Sequence, residues 1–200
     1  HHPLFDHFGI SVDSMKARKE LGIDHQGGLL LFFGFIRQYK GLDLLLEAFA
    51  NPRFRNRSIR LLIAGEFYDS PEHYNSLIEQ HQLEDLIVRR HEFIPNSEVA
   101  DYFSASDLIA LTYHSATQSG VTQVAYHFEK PMIVTNVGGL AEGVPHGKVG
   151  FIAAPNPTSI ADAIHSFYQA NSLTDFEKTI KIEKAKYSWD TFTKVLLGNY

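Results

Sequence analysis

Short runs of consecutive apolar residues alternate along this chain with segments whose apolar residues recur at helical spacing. A continuous apolar run is typical of a strand buried on both faces, as in a parallel sheet covered by helices. Apolar residues three and four apart predict amphipathic helices between these runs. With no hairpin signal, the pattern predicts an α/β fold with a Rossmann-like, doubly wound, mostly parallel sheet of about six strands. The predicted strands are residues 29–33, 59–64, 86–88, 108–111, 132–134 and 149–152.

Composition narrows the class of protein. The chain has 200 residues, 44% hydrophobic and 20% charged, and can bury the core of an ordinary globular domain. Its formal net charge of −5 argues against nucleic acid as a partner. Without cysteine it has no disulfide, thiolate nucleophile or cysteine–zinc site. The eleven histidines are scattered, so we predict no metal site. No apolar run approaches the ~20 residues of a membrane span, and we expect a cytoplasmic location.

Three regions are expected along the chain. Residues 1–27 mix aromatic with polar residues before one short helix, and they are predicted to be a connector that is too short to bury a core of its own. Residues 28–170 carry the alternating pattern and are predicted to form one Rossmann-like domain. Residues 171–200 are rich in Lys and Glu and are predicted to be C-terminal helices that pack on that domain, with a break near Trp189.

Polar turns that contain glycine follow three of the predicted strands. Because the carboxyl ends of parallel strands lie at one edge of a sheet, we expect these turns to meet where open α/β sheets bind ligands. The first turn, residues 34–41, places Arg37 and Lys40 just before a helix. Cations at a helix N-terminus oppose the helix dipole unless an anion lies there, so this pair favours a bound anion. The other two turns are residues 117–121 and 138–142.

The last two of these turns lie close together in the stretch 114–142. Ser119, or alternatively Thr117, is the candidate N-cap of a helix in this stretch. The unpaired amide groups of a helix start predict an anionic ligand, most commonly phosphate. Gly138 and Gly139 can take positive φ or let a ligand approach the backbone. Ordinary caps and turns use the same residue types, so each turn taken alone also fits a purely structural role.

Several segments, in this order and at these spacings, resemble one known family. The sequence is similar to the nucleotide-sugar-binding C-terminal domain of group 1 glycosyltransferases, which are enzymes of the two-lobed GT-B fold. The resemblance covers nearly the whole chain from residue 28 onwards. It is carried by residues 33–45, 63–66, 102–108, 130–134, 137–142 and 187–190.

The resemblance implies a function for the predicted turns. Arg37 and Lys40 would clamp the donor's diphosphate with the help of backbone amides at the start of the helix, and this clamp can replace a metal ion. The base would lie against residues 93–95, and Glu142 would lie near the sugar or ribose. The catalytic residues predicted in this way are Arg37, Lys40 and Gln118. The predicted donor-binding residues are Gly34, Ile94, Ser119, Gly120, Val121, Gln123 and Glu142.

The sequence departs from the family pattern at two places. The family usually has an Arg directly after the glycine, where Phe35 stands here, and Arg37 could take over its role. The family's two glutamates, eight positions apart, fall on Ala116 and Val124, whose side chains cannot form hydrogen bonds. Gln118 and Gln123 flank these positions and could substitute for the glutamates. Alternatively, both are part of a polar helix surface.

The main functional hypothesis is the donor-binding lobe of a retaining glycosyltransferase that transfers a sugar to a glycan or lipid-linked acceptor. We expect no cofactor and no metal, and we expect the chain to be a fragment that is inactive without its N-terminal acceptor lobe. Contact of that lobe with the inner face of a membrane is left open. The alternative is a catalytically degenerate module that binds a nucleotide or a partner protein. A sugar-nucleotide epimerase is less favoured, because no acid/base constellation is found for it.

Overall fold

The computed structural model describes residue 5 and residues 7–55, 58–169, 173–188 and 193. Within these residues six strands form one sheet in the order β3-β2-β1-β4-β5-β6. Every pair of neighbouring strands is parallel, which confirms the predicted Rossmann-like α/β fold. The strands are β1 (Gly28–Phe33), β2 (Ile59–Ala64), β3 (Ile87–Arg90), β4 (Leu108–Leu111), β5 (Met132–Thr135) and β6 (Gly150–Ala153).

Helices fill the connections between successive strands, except that the connection from β5 to β6 has only the short 3₁₀ turn Ala141–Gly143. α2 contacts α4 and α7, whereas α1 contacts α5 and α6 contacts α8, so the helices form two groups, as expected for a doubly wound sheet. The neighbouring strands β4 and β5 are buried over their whole length. The helices are α1 (Ser14–Glu20), α2 (Leu42–Phe49), α3 (Pro52–Arg55), α4 (Glu72–Gln80), α5 (Val99–Ala105), α6 (Gly120–His127), α7 (Pro157–Gln169) and α8 (Leu173–Lys184).

The strand order reverses between β1 and β4, which pair through Leu30 with Leu108 and Leu31 with Ile109. The chain after β1 leads to one side of the sheet and the chain after β4 to the other, so a crevice opens at their carboxyl ends. Ligands of open α/β sheets bind at such a reversal point. The turn at 34–41 and the start of α6 therefore lie at the expected place.

The start of α6 has the predicted cap. Ser119 caps α6, since its Oγ accepts a hydrogen bond of 3.2 Å from the Val121 amide. α5 has no such cap, because Glu98 precedes this helix without a side-chain capping bond. α4 ends at Gln80, and Gln82 just beyond it takes a positive φ of 51°.

The predicted C-terminal region 171–200 is described only at residues 173–188 and 193. Within that part, α8 contacts α6, and the ammonium group of Lys184 lies 3.3 Å from the Glu129 carboxylate. Trp189, where a break was predicted, lies outside the described residues. None of the described helices is long and apolar enough to cross a membrane.

A buried arginine ties together the edge of the sheet opposite the crevice. Arg18 is 3% exposed and donates hydrogen bonds to the carbonyl groups of Ala105 (2.8 Å) and Gly27 (2.7 Å). It also forms an ion pair of 3.3 Å with Asp107, whose carboxylate accepts a 2.7 Å bond from the Leu29 amide. These bonds hold the amino ends of β1 and β4 in register.

We predict that Arg18→Ala lowers the free energy of unfolding by roughly 3 kcal/mol, because carbonyl groups lose their donor and the partly exposed Asp107 carboxylate loses its charge partner. Arg53→Ala is the matched control, since Arg53 forms a 2.7 Å ion pair with Asp162 at the surface. Removing such an exposed pair is expected to cost at most about 1 kcal/mol. Urea denaturation measures both values, and equal losses in the two variants would contradict the structural role of Arg18.

Candidate functional site

The turn after β1 is fastened to the turn after β4. Gly41 takes a left-handed φ of 66°, and a Cβ added there would lie 2.0 Å from the carbonyl oxygen of Thr112, so only glycine fits. Thr112 Oγ1 donates a 2.8 Å hydrogen bond to the Gly41 carbonyl, and the His114 amide donates a 2.8 Å bond to the Tyr39 carbonyl. Residue 40 thus lies between Tyr39 and Gly41, both of which are bonded to the turn after β4 at the point where the strand order reverses.

Lys40 occupies this position and is only 8% exposed. Burial, and to a smaller degree the charge of Arg37, lower the pKa of Lys40 to about 8. A Cβ placed on Gly34 would lie 3.2 Å from the Lys40 Nζ and 4.0 Å from Val121 Cγ2, so the lysine and the first turn of α6 meet above Gly34. Lys40 forms no ion pair with any residue that the structure describes. A buried cation without a carboxylate partner is a suitable site for an anion.

Ser119 organises the start of α6. Its Oγ lies 3.0 Å from the hydroxyl of Tyr113, and burial raises the pKa of Tyr113, which keeps the phenol neutral. Because the Val121 amide donates to Ser119 Oγ, this predicted ligand donor is already used inside the protein. The amides of Ser119 and Gly120 have no acceptor among the described residues. These two amides remain as donors at the positive end of the helix dipole.

A cavity of about 470 Å³ opens where the two turns meet. It brings together seven of the predicted site residues, namely Gly34, Lys40, Ile94, Gln118, Ser119, Gly120 and Val121. Much of the remaining wall is aromatic: Phe5, Phe8, Phe33, Phe35, Tyr39, Phe93 and Tyr113. An apolar wall that carries a few polar groups is typical of a pocket for a small organic ligand.

The sequence reasoning missed these aromatic side chains as site residues, apart from the loop at 93–95. Phe5 is the clearest case, since its ring atom Cε2 would lie 2.9 Å from a Cβ on Gly120 and so covers the start of α6. The only available signal was the mixture of aromatic and polar residues in the predicted connector. Phe35 and Phe93, whose ring centroids are 6.3 Å apart, face each other at another part of the rim.

Three predicted site residues do not line this cavity. The guanidinium carbon of Arg37 lies 3.9 Å from the ring centroid of Tyr68, and this cation–π contact holds it outside the cavity. Gln123 is buried, and it lines a smaller cavity next to the large one. Glu142 lies exposed in the short 3₁₀ turn Ala141–Gly143.

The positions of the two absent glutamates differ in environment. Val124 is 4% exposed and lines the large cavity, where it presents a methyl surface. Ala116 contributes backbone instead, since its carbonyl oxygen would lie 1.8 Å from a Cβ on Gly138, which has a φ of 48°. The two predicted turns therefore touch through their backbones, and Gly138 permits the contact. Among the described residues, no three His, Cys, Asp or Glu side chains are placed to hold a metal ion.

Comparison with known proteins decides the family. The family model described as "Glycosyl transferases group 1" matches residues 27–170, which is more than half of the chain. The chain belongs to this family. It is 27% identical over 199 residues to the D-inositol 3-phosphate glycosyltransferase of Gordonia bronchialis, a match that covers 92% of this chain and 42% of that protein. The chain thus spans less than half the length of this relative.

Solved structures share the fold of this group 1 glycosyltransferase chain. The C-terminal domain of the group 1 family protein LpcC from Francisella tularensis superposes with a TM-score of 0.78 at 17% identity and covers 91% of this chain and 96% of that domain. Anabaena Alr3699/HepE, solved in complex with UDP and glucose, gives a TM-score of 0.81 at 20% identity, covering 98% of this chain and 54% of that one. The architecture is therefore that of the C-terminal lobe of GT-B glycosyltransferases, as predicted.

We predict that Gly138→Ala destabilises the protein much more than Gly147→Ala does. Both glycines have positive φ, 48° and 74°, but a Cβ at residue 147 meets nothing within 4 Å. Gly147→Ala should cost only the left-handed conformation, about 1–2 kcal/mol. Gly138→Ala must also push the carbonyl of Ala116 away, which adds roughly 1–3 kcal/mol of overpacking. Thermal or urea unfolding compares the two, and equal costs would refute the proposed contact between the turns.

Proposed function

We propose that this chain is the part of a group 1 glycosyltransferase that binds the nucleotide-diphosphate-sugar donor. The observation that carries the proposal is the position of Lys40, buried without an ion-pair partner among the described residues and beside the start of α6. The main cavity is large enough for much of a nucleotide and has aromatic walls. That Anabaena Alr3699/HepE has been solved with UDP and glucose supports the same ligand class here.

Charge neutralisation of the diphosphate is assigned to Lys40 together with the amides of Ser119 and Gly120. In glycosyl transfer the leaving nucleoside diphosphate gains negative charge as the glycosidic bond breaks, and fixed donors at that position lower the barrier. While Arg37 lies over Tyr68, its positive charge attracts the diphosphate from a distance. Its guanidinium can also turn from this position towards the phosphate oxygens. The proposed clamp includes no metal ion.

The base is assigned to the rim between Phe35 and Phe93, next to the buried side chain of Ile94. Aromatic rings offer stacking surface to any base. Phe35 replaces the Arg that the family usually has after the glycine, so apolar stacking here takes the place of a charged contact. Glu142 remains a candidate for contact with the sugar or ribose from its exposed turn.

In the whole protein we propose transfer of the sugar, with retention of its configuration, to a glycan or lipid-linked acceptor held by a second lobe. The family membership of residues 27–170 supports the transferase class. The short span of this chain relative to its Gordonia bronchialis relative supports a second lobe, because the match covers only 42% of that protein. The resemblance to the family supports retention.

A second candidate is a module that binds a nucleotide or a partner protein without catalysis. It is favoured by Val124 and Ala116, which stand where the family has its two glutamates and offer no side-chain hydrogen bond. Sugar transfer by the full-length gene product separates the two functions. Transfer supports the enzyme, whereas nucleotide binding without transfer supports the module.

Isothermal titration of the chain with UDP, GDP and their sugar conjugates tests donor binding. We predict that Lys40→Ala lowers the affinity for the preferred nucleoside diphosphate by roughly tenfold to a hundredfold, since a charge-assisted contact is lost. Lys19→Ala is the matched control, because Lys19 is exposed on α1. If wild-type protein binds no nucleoside diphosphate, or if Lys40→Ala binds as tightly as the control, the assignment is wrong. Equal affinities in EDTA and in Mg²⁺ are expected.

The pH dependence of binding should show the titration of Lys40. Since its pKa in the free protein is lowered to about 8, Lys40 is charged below this pH and neutral above it. An anion binds the charged form, so binding above pH 8 must take up a proton, and the affinity for UDP or GDP should fall by up to about tenfold per pH unit. Lys40→Arg keeps its charge and should remove this fall. A wild-type affinity that stays constant from pH 7 to 9.5 would rule out the buried lysine as the anion's partner.

A further inference from the structure

One buried polar group near the main cavity has no partner. Gln123 lies in α6 and is 6% exposed, and its Oε1 atom has no hydrogen-bond donor among the described residues. A buried acceptor without a donor is unfavourable for folding, and native proteins retain few of them. Such an atom is expected to find its donor in a water molecule or a ligand.

Gln123 lines a small cavity of about 20 Å³ between α6 and the turn after β5. Its other walls include Gln118, Ser119, Thr122 and Gly139. The volume is enough for one water-sized group, since about 10–15 Å³ suffices. Gln118 and Ser119 also line the large cavity, so the two spaces are neighbours that share a wall.

Two successive residues of α6, Gln123 and Val124, line different cavities. About 100° separates neighbouring side chains around a helix axis, so Val124 and Gln123 face different surroundings. Val124 lines the large apolar cavity, and Gln123 lines the small polar one. Gly139 lets the β5 turn close this space, because a Cβ there would lie 2.5 Å from the Thr117 carbonyl oxygen.

The order of the turns along the sheet edge indicates what reaches the small cavity. Ile94 follows β3, Lys40 follows β1, Ser119 follows β4 and Gly139 follows β5, and the strands lie side by side in that order apart from β2. On the proposed function, the base lies near Ile94 and the diphosphate between Lys40 and Ser119. The next group along the donor is its sugar, which then lies on the β5 side.

We propose that Gln123 is a specificity-determining residue, whose Oε1 accepts a hydrogen bond from one hydroxyl of the donor sugar inserted into the small cavity, with Gln118 at its entrance. This inference rests on the proposed donor site and assigns the sugar end of it. A neutral amide thus recognises a hydroxyl near positions where the family has carboxylates. A donor without that hydroxyl leaves the amide unpaired and binds less tightly.

The test compares sugar nucleotides with their parent diphosphates. Dissociation constants are measured for UDP, UDP-glucose, UDP-N-acetylglucosamine, GDP and GDP-mannose with wild-type protein and with Gln123→Met, which keeps length and volume but loses the acceptor. We expect at least one sugar nucleotide to bind wild-type protein about tenfold more tightly than its parent diphosphate, and Gln123→Met to lose this gain. UDP and GDP themselves should bind the variant within about twofold of wild type. Gln80→Met, an exposed site on α4, is the matched control.

The outcomes separate this proposal from the broader one. If UDP or GDP binds but Gln123→Met keeps the full gain of the sugar, or if wild-type protein shows no gain at all, the small cavity holds only water and the inference is overturned. If no diphosphate binds, the donor site itself is wrong. Should Gln123→Met fail to fold, the proposal is tested instead by titrating deoxy analogues of the preferred donor into wild-type protein. One analogue must lose about tenfold in affinity, and equal affinities for all of them would overturn the proposal.

Discussion

The close contact between Gly41 and Thr112 holds the candidate site together. Because a Cβ on Gly41 would lie 2.0 Å from the Thr112 carbonyl oxygen, the turns after β1 and β4 can meet only if residue 41 is glycine. The Thr112 hydroxyl and the His114 amide then fasten the two turns with hydrogen bonds of 2.8 Å each. This contact fixes Lys40 beside the start of α6 before any ligand arrives. Groups that are fixed in advance need little rearrangement when they neutralise a charge.

Contacts at the opposite edge of the sheet and around the cavity support that arrangement. At the other edge of the sheet, the buried Arg18 and the partly exposed Asp107 hold the same two strands, β1 and β4, through an ion pair of 3.3 Å. Aromatic side chains around the cavity reduce the contact of Lys40 with water, which lowers its pKa and strengthens its attraction for an anion. Burial of this lysine is unfavourable in the free protein, and on the proposed function a bound diphosphate would offset that cost. The same burial therefore destabilises the charged lysine in the free protein and favours an anion beside it.

Local patterns predicted the framework well. Residues 59–64 and 108–111 were expected as strands and are strands with the same bounds, because continuous apolar runs between turn signals leave few alternatives. The cap of α6 by Ser119 was also predicted, since capping depends on neighbours in sequence. The family resemblance added the ligand class, which neither periodicity nor composition contains.

Contacts between distant segments could not be predicted in this way. The stacking of Arg37 over Tyr68 and the cover that Phe5 places on Gly120 both depend on how loops meet in space. The isolation of the Gln123 amide in its own small cavity depends on the β5 turn closing over α6. Sequence alone left Gln123 as either a ligand-binding residue or a surface residue, and burial excludes the second.

A titration of ¹⁵N-labelled protein with UDP and with GDP, followed by NMR, tests the central claim most directly. The account predicts that the largest shifts fall on the amides of Gly34, Lys40, Ser119 and Gly120, around the meeting point of the two turns. Amides near Arg18, at the opposite edge of the sheet, should not move. Shifts concentrated away from the start of α6, or unchanged spectra at saturating nucleotide, would contradict the account.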